Sequence, residues 1–341
     1  MTVAVLGLDV GGAHLKYAGL APDGRLLLVG EKATPLWHDP ASLDRALARL
    51  PRAPRVVATM TGELVDRFPD RARGVVELVG RLVARFGEAH LGLYAGRRGF
   101  VTAAAARCAP RAVASANWRA TAELCARLCG SGLLVDIGST TTDLVPFREG
   151  RVTARGEDDA SRLAAGELIY LGFVRTPLCA LGPAIPFAGG MRPLMNEVFA
   201  TTADVFRLLG LLEETDDRHP AADGGPKTRE GSVRRLARMV GADLADAPAA
   251  LWEGLARAFA ARLLHRLEEA ALGVLSAAPL AAEAPVVAAG CGHALAARLA
   301  ARLERPCLRF SALVGAPAPL AHAVDVVAPA LAVARLALAD P

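Results

Sequence analysis

Lysine is almost missing from this chain: of its 39 basic residues only Lys16, Lys32 and Lys227 are lysines and the rest are arginine. A GC-rich coding sequence favours arginine, so the arginines carry little information. A retained lysine marks a position where a compact ammonium serves better than a planar guanidinium. Aromatic residues make up 5% and the formal net charge is +4. No basic run is interleaved with aromatics, which argues against a nucleic-acid partner. No apolar run of about 20 residues escapes a charge, a glycine or a proline, so no membrane span is expected. The N-terminus lacks a basic region and a cleavage site, so no signal peptide is expected. The six cysteines form no CxxC pair and read as reduced, structural thiols of a cytoplasmic protein. The seven histidines show no ligand spacing, and a serine-hydrolase elbow is absent.

What is present is a globular composition, 53% hydrophobic over 341 residues, which is enough for two domains. The most informative stretch is Leu133-Leu134-Val135-Asp136-Ile137-Gly138-Ser139-Thr140-Thr141-Thr142-Asp143. An apolar strand runs into an aspartate, a glycine and four hydroxyl residues, which reads as an anion cradle at a strand end. The pattern occurs twice, because Val5-Leu6-Gly7-Leu8-Asp9-Val10-Gly11-Gly12 also runs from a strand into Asp and Gly. Two such loops a domain's length apart suggest a duplicated α/β architecture that clamps a ligand. The split expected is 1–130 and 131–341, the second part carrying a helical insert and a lid-like polar loop at 213–229.

Along the chain, helices are expected over 40–50, 73–86, 120–129, 162–176, 232–239, 248–275 and from 329 onward. A further helix follows Thr201-Thr202-Ala203-Asp204 and ends near 212. A tight turn is expected at Arg148-Glu149-Gly150-Arg151, and proline and glycine between 182 and 193 mark a loop or hairpin.

The candidate site residues sit at strand ends. Asp9 and Asp136 are carboxylates after buried strands, and a magnesium ion shared with phosphate oxygens would satisfy them. Gly11, Gly12, Gly138, Ser139, Thr140, Thr141 and Thr142 offer amides and hydroxyls to an anion. Lys16, just past the first loop, could neutralise a phosphate, and Arg175 could form a bidentate contact. Lys227 is either a lid cation or an exposed loop lysine. Thr61 lies in a polar set at another strand end and is a candidate substrate contact. Asn117 and Trp118 either bind an aromatic or polar ligand or pack inside. Gly290 and Gly292 form a glycine turn between a strand and a helix, a candidate diphosphate- or nucleotide-binding turn.

Together the two Asp-Gly loops and the turn Val286-Val287-Ala288-Ala289-Gly290-Cys291-Gly292-His293 resemble the actin, sugar kinase and Hsp70 superfamily. The resemblance implies two similar actin/hexokinase-like, ribonuclease H-like domains with a ligand cleft between them. More narrowly, Asp9-Val-Gly-Gly-Ala-His-Leu-Lys16, Met60-Thr-Gly-Glu-Leu64, Ser115-Ala-Asn-Trp-Arg-Ala-Thr-Ala122, Val135 to Pro146, Gly172-Phe-Val-Arg-Thr-Pro177, Thr202-Ala-Asp204 and Asp223-Gly-Gly-Pro-Lys227 resemble a hydantoinase/oxoprolinase-like family. Its members are linked to tetrahydromethanopterin-dependent one-carbon transfer and include archaeal methanofuran-core synthases. Where that family has asparagine two residues before the lysine, this chain has His14.

The resemblance implies a transferase that joins a furanylmethyl diphosphate to the phenol of tyramine or a γ-glutamyl derivative and releases diphosphate. Magnesium is the expected cofactor; ATP binding stays possible, though this chemistry does not require it. The phenol requires a base, since its pKa is about 10, and Glu63, Asp143 and Asp204 are candidates. Two other readings stay open: an ATP-dependent kinase or ring-opening amidohydrolase, and a non-catalytic nucleotide-binding regulator. Small apolar patches on the helices are compatible with a homodimer.

Overall fold

The computed structural model describes residues 2–340 and divides into two compact units. The first comprises Met1–Leu134, Val145–Ala164 and Leu308–Pro341, and the second Val135–Leu144 and Ala165–Cys307.

Six strands make the sheet of the first unit: β1 (Val5–Val10), β2 (His14–Leu20), β3 (Leu26–Ala33), β4 (Arg55–Met60), β5 (Leu91–Tyr94) and β6 (Phe100–Thr102). Their order is β3-β2-β1-β4-β5-β6, with β1 antiparallel to β2 and parallel to β4. All six residues of β1 are buried. A strand covered on both faces needs the near-continuous apolar run that Val5 to Val10 supplies. Helix Arg71–Phe86 lies over this core through Val75, Leu78, Val79 and Leu82. It starts where the Asp70 side chain accepts the Arg73 amide and stops at Gly87, whose φ is +86°.

In the second sheet the strands are β7 (Gly132–Ile137), β8 (Thr142–Arg148), β9 (Arg151–Val152) and β10 (Leu168–Ile169). After a separate hairpin, β11 (Ala184–Phe187) and β12 (Gly190–Pro193), come β13 (Val286–Ala289) and β14 (Cys307–Arg309). The order β10-β8-β7-β13-β14, with β9 on β8, repeats the plan of the first sheet. A hairpin whose turn follows the aspartate forms the middle, and a later strand adds on its far side. This is the two-fold use of a ribonuclease H-like sheet that the paired Asp-Gly loops imply.

Three expectations change. The simple split at 130/131 fails because the chain returns: helix Ala328–Ala339 packs on β1, β2, β4 and helix Asn117–Cys129 of the first unit. Gly7 permits this, since a Cβ there would sit 2.1 Å from the Ala330 carbonyl oxygen. The helix expected over 162–176 is only Asp159–Ala165. Gly166 follows with φ +71°, and the chain then pairs as β10 and turns into a loop.

The polar loop 213–229 is fastened rather than loose. Arg207, on helix Thr202–Leu208, meets Glu214 at 2.8 Å and Asp217 at 2.5 Å, and Arg235 meets Asp223 at 3.1 Å. Both arginines are buried, and the loop carboxylates share with Asp204 the pairing that makes their burial tolerable.

Among the described residues no single helix is long and apolar enough to cross a membrane. The bent pair Ala318–Val326 and Ala328–Ala339 passes by length and composition, but the second of these helices is largely buried in the core of the first unit.

Candidate active site

In the first unit, strand register builds a polar row. Lys16 of β2 stands directly across from Asp9 of β1 and, on its other side, from Glu31 of β3, while Asp9 is aligned with Thr59 of β4. Directly opposed residues share a sheet face with Cβ atoms about 5 Å apart. The row therefore sets a cation beside a buried carboxylate at the mouth of the 9–14 turn. Asp9 is 4% exposed and Thr59 1%, and the Thr59 hydroxyl has no hydrogen-bond partner among the described residues. The turn is closed by the Gly11 amide donating to the His14 carbonyl at 2.9 Å. The Gly12 carbonyl accepts the Leu36 amide, and the Thr61 amide donates to Val10. Gly11 and Gly12 thus give part of their polar backbone to the fold.

In the second unit the corresponding turn is closed by Gly138, whose amide donates to the Thr141 carbonyl at 2.9 Å. The segment after Gly172 lies against it: Phe173 donates to the Gly138 carbonyl, and Val174 and Arg175 both donate to that of Ser139. Gly172 cannot carry a side chain, because a Cβ would fall 2.5 Å from the Ser139 oxygen. Thr142 is fully buried and gives its hydroxyl to the Leu171 carbonyl at 2.7 Å, so it supports the turn and does not face a ligand. The Ser139 hydroxyl is enclosed without a partner, so the fold leaves its donor unused. Thr140 and Thr141 are half-buried on the same turn. Arg175 is half-buried, and its burial works against its charge. Asp136 lies buried at the end of β7.

Gly290 and Gly292 are required for packing. A Cβ on Gly290, at φ +79°, would lie 2.2 Å from the Ile137 oxygen and 2.5 Å from Asp136 Oδ1, and the Gly292 amide donates to the Ile137 carbonyl. They hold β7 and its aspartate in place.

Of the three base candidates, the structure separates Glu63 from the others. Asp204 is built into helix Thr202–Leu208 as a capping box with Thr201, and its carboxylate also accepts from Ser232 and from Arg235 at 2.8 Å. Its oxygens are committed to the fold. Asp143 lies half-buried on β8, opposite Leu168. Glu63 lies in the short 3-10 helix Gly62–Leu64 that follows β4, and it is 1% exposed. One of its oxygens accepts the Ser115 hydroxyl at 2.8 Å and the other has no partner. Burial pushes its carboxyl up to about 7, opposed by the Ser115 hydrogen bond. Ser115 also approaches Asp159 at 3.3 Å, and Arg71 holds Asp159 at 2.8 Å. Ser115 has φ +48°, an unusual conformation for a residue with a side chain.

Lys227 is not a free lid cation, because its ammonium is bound to the Asp217 backbone carbonyl and lies 3.4 Å from the Asp217 carboxylate. Asn117 begins helix Asn117–Cys129, and Trp118 is 3% exposed with Arg162 over its ring at 4.0 Å. Trp118 lines a cavity of about 1040 Å³ in the first unit, together with Arg71, Arg119, Ala114 and Ala116. This cavity, and the Ser115–Asp159–Arg71 chain beside it, were not visible in the sequence, since their members are scattered and arginine is too common here to stand out. No group of three or more His, Cys, Asp and Glu side chains able to hold a metal ion occurs among the described residues. A phosphate-bound magnesium needs only one or two protein carboxylates, which Asp9 and Asp136 could each supply.

Residues 55–324 match the family model described as hydantoinase/oxoprolinase. A curated relative from Methanocaldococcus jannaschii, named (4-{4-[2-(gamma-L-glutamylamino)ethyl]phenoxymethyl}furan-2-yl)methanamine synthase, is 31% identical over 245 residues. That alignment covers 71% of this chain and 73% of the relative. A protein of the same name from Methanococcus vannielii is 37% identical over 112 residues, covering 33% of this chain and 50% of that one. Among solved structures, nucleotide-free acetone carboxylase superposes with a TM-score of 0.55 at 12% identity, covering 89% of this chain and 68% of that one. At that identity the likeness speaks to the fold alone.

Proposed function

The chain belongs to the hydantoinase/oxoprolinase family, its curated relatives are synthase enzymes, and from that premise we propose that it is a diphosphate-releasing ether synthase. It would join an aminomethyl-furanmethyl diphosphate to the phenol of tyramine or a γ-glutamyltyramine. The observation that carries this reading is the 31% identity, across 71% of the chain, with a synthase whose name describes a phenoxy group joined to a furanylmethyl carbon. The product would be the core of a methanofuran- or methylofuran-type carrier of one-carbon units.

In this reaction the bond from the furanylmethyl carbon to the diphosphate oxygen breaks, and diphosphate leaves with the electron pair. A new bond forms from that carbon to the phenol oxygen, and the phenol proton passes to a base. Glu63 suits that role: with its carboxyl held up to about 7, it is substantially ionised at neutral pH yet basic enough to accept a proton. Its free oxygen is the accepting atom, and the Ser115 hydroxyl fixes the other.

The furan ring spreads positive charge, so stabilising the leaving group is the larger task. Lys16 in the first unit, and Ser139 with its turn in the second, are each proposed as ligands for anionic oxygen. Magnesium would bring charge neutralisation to the diphosphate, with Asp9 or Asp136 as its protein carboxylate.

The test is to incubate the protein with magnesium, γ-glutamyltyramine or tyramine, and the synthetic furanylmethyl diphosphate, with ATP alone in parallel. Diphosphate release that requires both organic substrates, with the ether seen by mass spectrometry, supports the reading. ADP formation without ether would sink it in favour of a kinase or amidohydrolase.

A further inference from the structure

The cavity beside Trp118 carries an excess of unused positive charge. Five arginines line it, Arg71, Arg97, Arg98, Arg111 and Arg119, against Asp70, Glu157 and Asp158. The three acids are engaged locally: Asp70 caps helix Arg71–Phe86, Glu157 pairs with Arg97 at 3.0 Å, and Asp158 accepts from Ser161. Arg71 is committed to Asp159. What remains is Arg98, Arg111 and Arg119, none of which bonds a carboxylate among the described residues.

Two further observations point to a ligand. The indole N–H of Trp118 and the Nε of Arg119 are both enclosed without a hydrogen-bond partner. Buried donors left unpaired by the protein are expected to find an acceptor elsewhere. In addition, helix Asn117–Cys129 opens at this cavity with Ala116 at its N-cap and no side-chain cap, so its end carries uncompensated positive potential. The opposite character is present too, since Ala112, Ala114, Ala116 and Trp118 give the same cavity an apolar wall.

We propose that this cavity is the acceptor pocket, taking a phenol that bears one or more carboxylates. The aromatic body lies along Trp118 and the alanines, and the carboxylates meet Arg98, Arg111 and Arg119. The assignment rests on the ether-synthase reading for the identity of the phenol. It places the ring near Ser115, which joins the cavity wall at Ala114 and Ala116 to Glu63. Arginine forks suit carboxylates geometrically. A volume of about 1040 Å³ is more than a single tyramine fills and leaves space for an acceptor with several γ-linked glutamates. Each added carboxylate therefore strengthens binding until the arginines are used.

Isothermal titration tests this on the whole protein with four probes: tyramine, γ-glutamyltyramine, its diglutamyl homologue and inorganic diphosphate. Arg98 and Arg111 are exposed, so Arg98→Ala and Arg111→Ala should fold as the wild type does. Wild type should prefer the glutamylated ligands to tyramine. Arg111→Ala and Arg119→Ala should each cut that preference about ten- to a hundred-fold, the loss of one charged contact. If the preference survived all three substitutions, or if the variants lost diphosphate binding instead, the acceptor assignment would be overturned. Selective binding of glutamylated ligands without any ether formation would leave the pocket standing and remove only the reaction assigned to it.

Discussion

Ser115 donates its hydroxyl to Glu63 at 2.8 Å across 52 residues of sequence, and does so from a left-handed backbone conformation. The contact fixes one carboxylate oxygen and leaves the other, buried, to take a proton. A carboxyl raised from 4.5 to about 7 is favoured in its protonated form by the fold. The stability this protonated form provides is complete below about pH 4.5 and is lost as pH rises through about 7. Catalysis by the ionised form runs the other way, with turnover rising through the same window. Glu63→Gln should lower turnover by about 10²-fold or more. It should also raise stability at pH 8 by up to about 3 kcal/mol, by removing a buried charge. A pH-rate profile together with thermal melts at pH 5 and pH 8 checks both signs at once.

Lys16 and Asp9 make a second pair whose geometry bears on anion binding. Lys16→Ala should reduce turnover about 10²-fold, whereas Lys16→Arg should recover only part of it, because a planar fork cannot occupy the place of a compact ammonium between Asp9 and Glu31. Steady-state rates of the two variants with equal folded content decide the matter. Equal activity of the arginine variant and wild type would show that only charge, not shape, is used.

Asp204 should behave as a structural residue. Replacing it with asparagine leaves Arg235, which is 1% exposed, facing a weakened partner. Breaking a buried pair in this way costs about 3–5 kcal/mol. Denaturant melts should show that loss, while the folded protein assayed at low temperature keeps its turnover number. A large fall in turnover without loss of stability would return Asp204 to the catalytic group.

Gly290→Ala tests the support of Asp136. The added methyl would meet both Ile137 and Asp136 Oδ1 in a backbone conformation that disfavours side chains. A destabilisation of at least about 2 kcal/mol is expected. Cys291→Ala, next to it but without that crowding, serves as the control in the same melts.

Much of this was legible locally. The two strand-Asp-Gly loops were, because a strand buried on both faces must be apolar throughout and a polar break at its end is conspicuous. The Arg148–Arg151 turn and the 182–193 hairpin announced themselves through glycine and proline in the same way. The role of Asp204 was readable as well, since Thr201-x-x-Asp204 is a capping-box spacing, but the family resemblance set it among the base candidates instead. The short helix at 159–165 was overextended because Leu168 to Val174 is apolar enough to continue one, and the φ of Gly166 cannot be read from composition. Glu63's partners could not be found at all: Ser115 and Asp159 reach it only through the tertiary fold. The unpaired arginines of the cavity were hidden by the abundance of arginine elsewhere.

The close seat of helix Ala328–Ala339 on Gly7 also orders events in time. The strand Val5–Val10 waits for a covering helix, Ala328–Ala339, made about 320 residues later. At ordinary elongation rates that interval is on the order of 20–60 s. Until then the face of β1 that this helix covers stays open, so the interval sets how long an apolar surface must be kept from other chains.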